Sequence, residues 1–340
     1  MKINKDIILK AIAPNEIFTS NDKDIIKKEY LLLIKKYHPD VYYDKDLGHQ
    51  LFIKINKLYN SAINGSFNNT IMNNIEVFRF DRKQKFIINY YYKKDFTLGT
   101  YYFTKNKVIY IIKPEYEKFY NNFIKQREKI KYPNSNVRTN YKMVLPEIEY
   151  HFKTEDGSFL IAINREFEIY PLRNVLNYFN GKLHDRHVTW VLSRLYDFSC
   201  LMRYNHLVYN GIDIDNIFID IDNHLVFYYG FWYTMELERD LIGLPKSVYE
   251  LLPDKNEKKS KTYNDLISIR NLSKILLGDE FGSKIFYDTT IPKALKTWSL
   301  SDNISKNCTK EFERWNDCII ESYGKREFFV LEVEKEKVLI

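Results

Sequence analysis

Residues 207–231 read LVYNGIDIDNIFIDIDNHLVFYYGF, and this run decides how the chain is organised. Two short β-branched and aromatic pieces, NIFIDID and HLVFYYG, meet at an Asp-Asn-His turn, which predicts strand–turn–strand. Upstream lie more pieces of the same kind: KFIINYYY (85–92), GTYYFTKN (99–106), KVIYIIK (107–113), MVLPEIEYHF (143–152) and SFLIAINREFEIY (158–170). A single helical stretch, KFYNNFIKQREKI (118–130), interrupts them. Downstream the period changes to that of helices: RNVLNYF (173–179), His187–Tyr204, Tyr263–Leu277 and Lys310–Tyr323. Strands first and helices after predict an α+β body of two lobes, about 81–168 and 169–335.

Residues 1–66 carry a different signal. Ser20 and Asn21 precede Asp22–Tyr37, with Asp22 and Asp24 at the positive end of the helix dipole. Ile26, Tyr30, Leu33, Ile34 and Tyr37 share one helix face, and Pro39 ends the helix because it lacks an N–H and disfavours a helical residue before it. A second stripe follows at Leu51, Phe52, Ile55, Leu58, Tyr59 and Ala62. Two such helices with a short loop predict an antiparallel hairpin burying one seam. Residues 64–80 are turn-rich and weakly periodic, so 67–80 reads as a linker with a strand near its end. The chain shows no internal repeat.

Composition removes several function classes. Across 340 residues, 52 Lys and Arg against 45 Asp and Glu leave +7, spread without a dominant patch, so no nucleic-acid partner is expected. An aromatic content of 16% suits a large core and not a disordered chain. The three cysteines, Cys200, Cys308 and Cys318, form no CxxC pair, which argues against a four-cysteine zinc site and a disulfide scaffold and for a reducing, cytoplasmic setting. No 18-residue apolar window exists, so no membrane span is expected. His184 and His187 have i, i+3 spacing but no third ligand, and no metal is assigned to them. The basic run Lys255–Thr262 reads as a solvated loop.

The stretch IKKEYLLLIKKYHPD, Ile26–Asp40, followed by FIKINKLYNSA, Phe52–Ala62, resembles the second helix, loop and third helix of a J domain. The resemblance covers about a fifth of the chain. It departs from the family at Leu31 and Leu32 and in the loop VYYDKDLG after Asp40. It implies docking on a DnaK-type chaperone and stimulation of its ATP hydrolysis. His38, Pro39 and Asp40 would carry the stimulation, at a bent tip that presents an imidazole and an acid. Lys27, Lys28, Lys35 and Lys36 would form the basic docking face, steering association more than supplying affinity. Pro39 would fix the loop, and Asp40 offers a carboxylate to an arginine.

The run from Leu207 resembles the catalytic loop and metal-binding turn of protein-kinase-like folds, H-x-D-x-x-x-x-N followed by D-F-G. Laid on this chain, Tyr209 takes the His place, Gly211 that of the catalytic Asp, Asn216 that of the Asn, and Tyr228-Tyr229-Gly230 that of D-F-G. Asp265 sits like the buried Asp that opens the central helix of the second lobe. Lys113 resembles the strand lysine, Glu128 its helical glutamate partner, and Leu98-Gly99-Thr100 a reduced glycine loop. Phosphoryl transfer needs one carboxylate for the hydroxyl proton and another for magnesium, and Gly211 and Tyr228 supply neither. Asp213 and Asp215 are the nearby acids that could be rewired.

The sequence is therefore expected to encode a cytoplasmic co-chaperone: a J-like helical hairpin (1–66), a linker (67–80) and an inactive kinase-like module (81–335). The module would serve as scaffold for a client or a location, with no cofactor, no metal, no nucleic acid and no membrane partner. The alternative is a divergent kinase-like phosphotransferase that binds nucleotide and is targeted by its J-like arm.

Overall fold

Asn4 accepts a hydrogen bond from the Ile7 N–H at 3.0 Å and so caps α1 (Lys5–Lys10). Asp22 does the same for α2 (Lys23–Tyr37), accepting from the N–H groups of Asp24 (2.9 Å) and Ile25 (3.1 Å). In this computed structural model, which describes residues 3–20, 22–63, 73–256, 258–325 and 327–339, α2 stops at His38, one residue before Pro39. Its buried residues are Ile26, Tyr30, Leu33, Ile34 and Tyr37, the stripe expected from spacing. α3 (Lys45–Ile63) turns back along α2 and buries Leu51, Phe52, Ile55, Leu58 and Tyr59, while α1 packs on α3 with Ile8 buried. Tyr30 stacks on Tyr59 at 3.8 Å, and its hydroxyl donates to Asn56 Oδ1 at 3.0 Å inside the seam. Each fully buried aliphatic side chain stabilises such a seam by about 1.5–3 kcal/mol.

The described chain forms two units, Met1–Ile71 together with Lys325–Val330, and Met72–Gly324 together with Leu331–Ile340. Both boundaries differ from the sequence reading. Residues 67–72 of the expected linker lie outside the described residues, and the strand expected near its end is β1 (Asn73–Phe78), which belongs to the larger unit and pairs antiparallel with β2 (Lys85–Tyr90) from Asn73↔Tyr90 to Phe78↔Lys85. The span 81–335 is also not continuous, because 325–330 packs with the hairpin unit.

In the larger unit a five-stranded antiparallel sheet has the order β3-β4-β5-β7-β6, built from β3 (Tyr92–Phe96), β4 (Gly99–Phe103), β5 (Lys107–Ile112), β6 (Ile148–Lys153) and β7 (Phe159–Asn164). The run KFIINYYY therefore spans two strands, broken at Tyr91. The β1–β2 hairpin lays Val77 and Ile88 on Ile109, Phe152, Leu160 and Ala162, sealing one face of the sheet. Between β5 and β6 come α4 (Glu117–Glu128) and α5 (Ser135–Lys142), the latter not foreseen from its polar sequence.

The second lobe follows: β8 (Tyr170–Pro171), α6 (Leu172–Tyr178), α7 (Asp185–Tyr204), β9 (Leu207–Val208), β10 (Phe218–Asp220), β11 (Leu225–Phe227), β12 (Met235–Glu236), α8 (Lys246–Leu251), α9 (Thr262–Leu276), α10 (Ser283–Tyr287), α11 (Lys293–Leu300), α12 (Cys308–Tyr323) and α13 (Lys335–Val338). α7, α9, α11 and α12 pack together. Their junction buries an ion pair, Arg270–Glu311, and Arg270 also donates to the carbonyl oxygens of Trp298 (2.6 Å) and Ser301 (2.7 Å). A buried pair persists only when hydrogen bonds satisfy it in this way. Among the described residues no helix is long and apolar enough to cross a membrane.

Candidate functional site

Of the residues matched to kinase motifs, Tyr209, Gly211, Asn216, Tyr228, Gly230 and Asp265 come together where the free face of the sheet meets the loop after β9. Asp265, in the first turn of α9 and 2% exposed, accepts hydrogen bonds from the backbone N–H groups of Tyr209 (2.9 Å) and Asn210 (2.8 Å). Burial pushes its carboxyl up to about 7, and the two amide bonds only partly offset that. Asn210, held at a φ of 58°, extends the network by donating to the Tyr233 carbonyl oxygen (3.2 Å) and Ser260 Oγ (2.9 Å), while its own Oδ1 accepts from Asn264 Nδ2 (3.0 Å). A satisfied polar network of this kind fixes one backbone path.

On that path the Tyr209 hydroxyl accepts a hydrogen bond from the Gly230 N–H at 2.8 Å. A Cβ at Gly230 would lie 2.9 Å from the same hydroxyl, so a larger residue at the end of the Tyr-Tyr-Gly run would have to displace it. Gly211 is buried, and a Cβ there would already touch the Gly230 carbonyl oxygen (3.4 Å) and the Tyr209 ring (3.4 Å). Tyr228 is a core residue: it stacks on Phe198 at 3.7 Å and its hydroxyl donates to the Arg194 carbonyl oxygen at 2.7 Å. Burial holds its phenol far above the usual value, so it is neutral and no ligand for a hard cation.

Asn216 and Asp215 border the space that remains, together with Phe96, Tyr101, Tyr110 and Trp232. That cavity measures about 10 Å³. One water needs about 10–15 Å³, whereas small-molecule sites run to about 300–1,000 Å³. Aromatic rings thus occupy the volume between the lobes: Tyr110 lies 5.2 Å from Trp232 and Tyr101 lies 5.4 Å from Phe218. The neighbouring acids are engaged. Arg173 grips Asp215 through Nε (3.2 Å) and Nη2 (2.9 Å), and Lys94 adds a third contact at 3.3 Å. The two-pronged arginine contact is the strong form of such a pair. Burial alone would raise the Asp215 carboxyl, but these cations hold it below the usual range. Asp213 accepts from the Asp215 N–H (2.8 Å) and the Ser247 hydroxyl.

Lys113 and Glu128 do not enter this site. Lys113 lies beyond the end of β5 and is exposed, as is Glu128 at the end of α4, and among the described residues no ion pair joins them. Strand parity explains the first correction. Side chains alternate between faces, so Lys113 shares parity with Ile109 and Ile111, on the face covered by the β1–β2 hairpin, and Tyr110 holds the inward place. The second correction has a substitute: two amides hold α4, beside an ion pair between Lys129 at its end and Glu236. Asn122 Nδ2 donates to the carbonyl oxygens of Trp232 (3.0 Å) and Thr234 (2.8 Å), and Gln126 Nε2 donates to Asn122 Oδ1 (3.2 Å) and Glu236 Oε2 (3.3 Å). The available signal was a pair of amides at i, i+4 on the apolar face that carries Phe119 and Phe123. The remnant Leu98-Gly99-Thr100 is a tight hairpin, since Phe96 pairs with Gly99 and only Thr97 and Leu98 turn. A Cβ at Gly99 would collide with the Ile111 carbonyl oxygen, which makes that glycine a packing requirement.

In the smaller unit His38 caps α2, and its carbonyl oxygen accepts from the N–H groups of Val41 (3.0 Å) and Tyr42 (2.9 Å), closing the corner into α3. Its Nδ1 accepts from the Asp40 N–H at 3.1 Å. The expected presented imidazole is not observed: His38 is 1% exposed, lying edge-on to Phe52 at 5.0 Å and beside Phe328 at 4.9 Å. Aromatic packing draws the ring inward. Pro39 and Asp40 are half-buried, and Lys27, Lys28, Lys35 and Lys36 are exposed.

His184 caps α7 by accepting from the Arg186 N–H and contacts Asp185, and His187 is buried, its imidazole pushed down to about 4 by desolvation. Among the described residues no group of three or more His, Cys, Asp or Glu could hold a metal ion.

Against this geometry, the solved structure of vaccinia related kinase 3 superimposes with a TM-score of 0.51 over 75% of this chain and 94% of that chain, at 13% identity. A likeness at that identity establishes architecture, and the chain carries a protein-kinase-like α+β fold. No protein family profile matches the sequence, and no curated protein sequence does.

Proposed function

We propose that this protein is a co-chaperone in the cytoplasm that engages a DnaK-type chaperone through its helical hairpin and accelerates ATP hydrolysis by that partner. The observation that carries the reading is the His38-Pro39-Asp40 corner between α2 and α3, flanked by Lys27, Lys28, Lys35 and Lys36 on the exposed side of α2. The lysines steer the encounter with an acidic surface. Asp40, with its side chain 26% exposed, supplies the carboxylate for a guanidinium of the partner.

The kinase-like body acts in this reading as a scaffold for a client or an address, without phosphoryl transfer. Gly211 and Tyr228 stand where carboxylates are needed. The small cavity beside Asp215 and Asn216, about 10 Å³, supports this reading. The phosphotransferase alternative would need Asp213 or Asp215 as its acid, and Asp215 is already held by Arg173 and Lys94. The test is steady-state ATP turnover by a purified DnaK-type chaperone with the full chain or its His38→Gln variant. Acceleration by the first and none by the second is expected. Equal turnover with and without the wild-type chain sinks the reading.

A further inference from the structure

Residues 325–330 are distant in sequence from the hairpin, yet they belong to its unit. α12 is followed by Gly324, whose φ of 73° lets the chain leave the helix. The described residues from there to Glu334 form no helix or strand. Phe328 is 7% exposed, and its ring lies 4.9 Å from that of His38, while Phe52 meets the same imidazole at 5.0 Å. An imidazole enclosed by two phenylalanine rings cannot meet another protein. One of those rings comes from the body of the hairpin, whereas the other comes from a segment without regular structure. Segments outside helices and strands are the ones from which local opening is drawn.

We propose that Glu327–Val330 is an autoinhibitory strap over the His38-Pro39-Asp40 corner, with Phe328 as its latch, and that the chaperone engages the corner only after the strap lifts. The regulatory consequence rests on the co-chaperone reading, while the closure itself concerns only access to His38. Glu327 and Lys325 pair at 3.2 Å beside the latch, and both are exposed. Burial of one phenylalanine ring favours the closed form by about a factor of ten or more.

The experiment is diethylpyrocarbonate modification of the full-length chain, read at each histidine by mass spectrometry, beside the chaperone ATPase assay. Exposed His184 and half-buried His49 on α3 serve as internal references. In Phe328→Ala, His38 should react about tenfold faster than in wild type, with His184 and His49 unchanged, and stimulation should rise in step. Phe328→Leu, which retains an apolar latch, should react and stimulate as wild type does. A His38 rate equal in wild type and Phe328→Ala overturns the latch. Faster labelling with unchanged stimulation in an active chain overturns the gating while leaving the co-chaperone reading in place. Faster labelling with no stimulation by any variant removes the co-chaperone reading, and the gating with it.

Discussion

Asp265→Ala is the substitution whose cost follows most directly from the geometry. The carboxylate is the acceptor for two buried backbone donors, Tyr209 N–H and Asn210 N–H, at 2.9 and 2.8 Å. Alanine removes both acceptors and leaves the donors enclosed. An unsatisfied buried polar group costs about 1–3 kcal/mol, so the pair should cost about 2–6 kcal/mol. In a unit of this size each kcal/mol lowers the midpoint by about 2–4 °C, which gives a drop of roughly 5–20 °C. Asp265→Asn keeps one acceptor but turns an amide donor toward the other N–H, and should lose about half as much. Differential scanning calorimetry is the assay, because the two units need not melt together and only the transition of the larger one should move. If Asp265→Ala melts with wild type, the network does not hold the Tyr209–Asn216 loop and the account of this site is wrong.

Gly230→Ala should destabilise by about 1–3 kcal/mol through the clash with the Tyr209 hydroxyl, and much less in a Tyr209→Phe background, where that oxygen is gone; a double-mutant cycle reads the difference. His187 has a native pKa lowered from 6.5 to about 4, so the unfolded chain binds its proton first. The stability it contributes is present above about pH 6.5 and is lost as pH falls toward 4, by about 2 kcal/mol at pH 5. Asp265, raised to about 7, titrates with the opposite sign in the same window, so the measurement is the difference in melting between wild type and His187→Gln across that range. Mg-ATP in excess should leave the melting temperature of the larger unit unchanged, and a rise that Tyr110→Ala enlarges would show a nucleotide site behind the rings.

Much of the architecture was legible where one periodicity dominates. The α2 and α3 stripes appear at the buried positions because a helix pair has a single seam to fill, and α7, α9 and α12 fall close to their expected spans. The Asp265 position was legible because helix starts have recognisable neighbours, although its partners, two backbone amides, carry no sequence signature. Reading failed where the decisive contact is distant or local rules conflict. A strand is expected near the end of 64–80, but its pairing with β2, which places it in the larger unit and not in a linker, has no local signature. Lys113 lies outside the site because strand alternation turns Tyr110 inward, a constraint that a lysine at a strand end does not reveal by itself. Nothing local to Lys325–Val330 signals that Phe328 packs on His38.

The central claim is that ATP is hydrolysed by a partner in response to this chain and not by the chain itself. Single-turnover hydrolysis of labelled ATP, followed for the protein alone, for a DnaK-type chaperone alone and for the two together, tests it directly. The account expects no turnover by the protein alone and faster turnover in the mixture than in the chaperone alone, with the gain lost in His38→Gln. Hydrolysis by the isolated chain, or a mixture no faster than its chaperone, would contradict it.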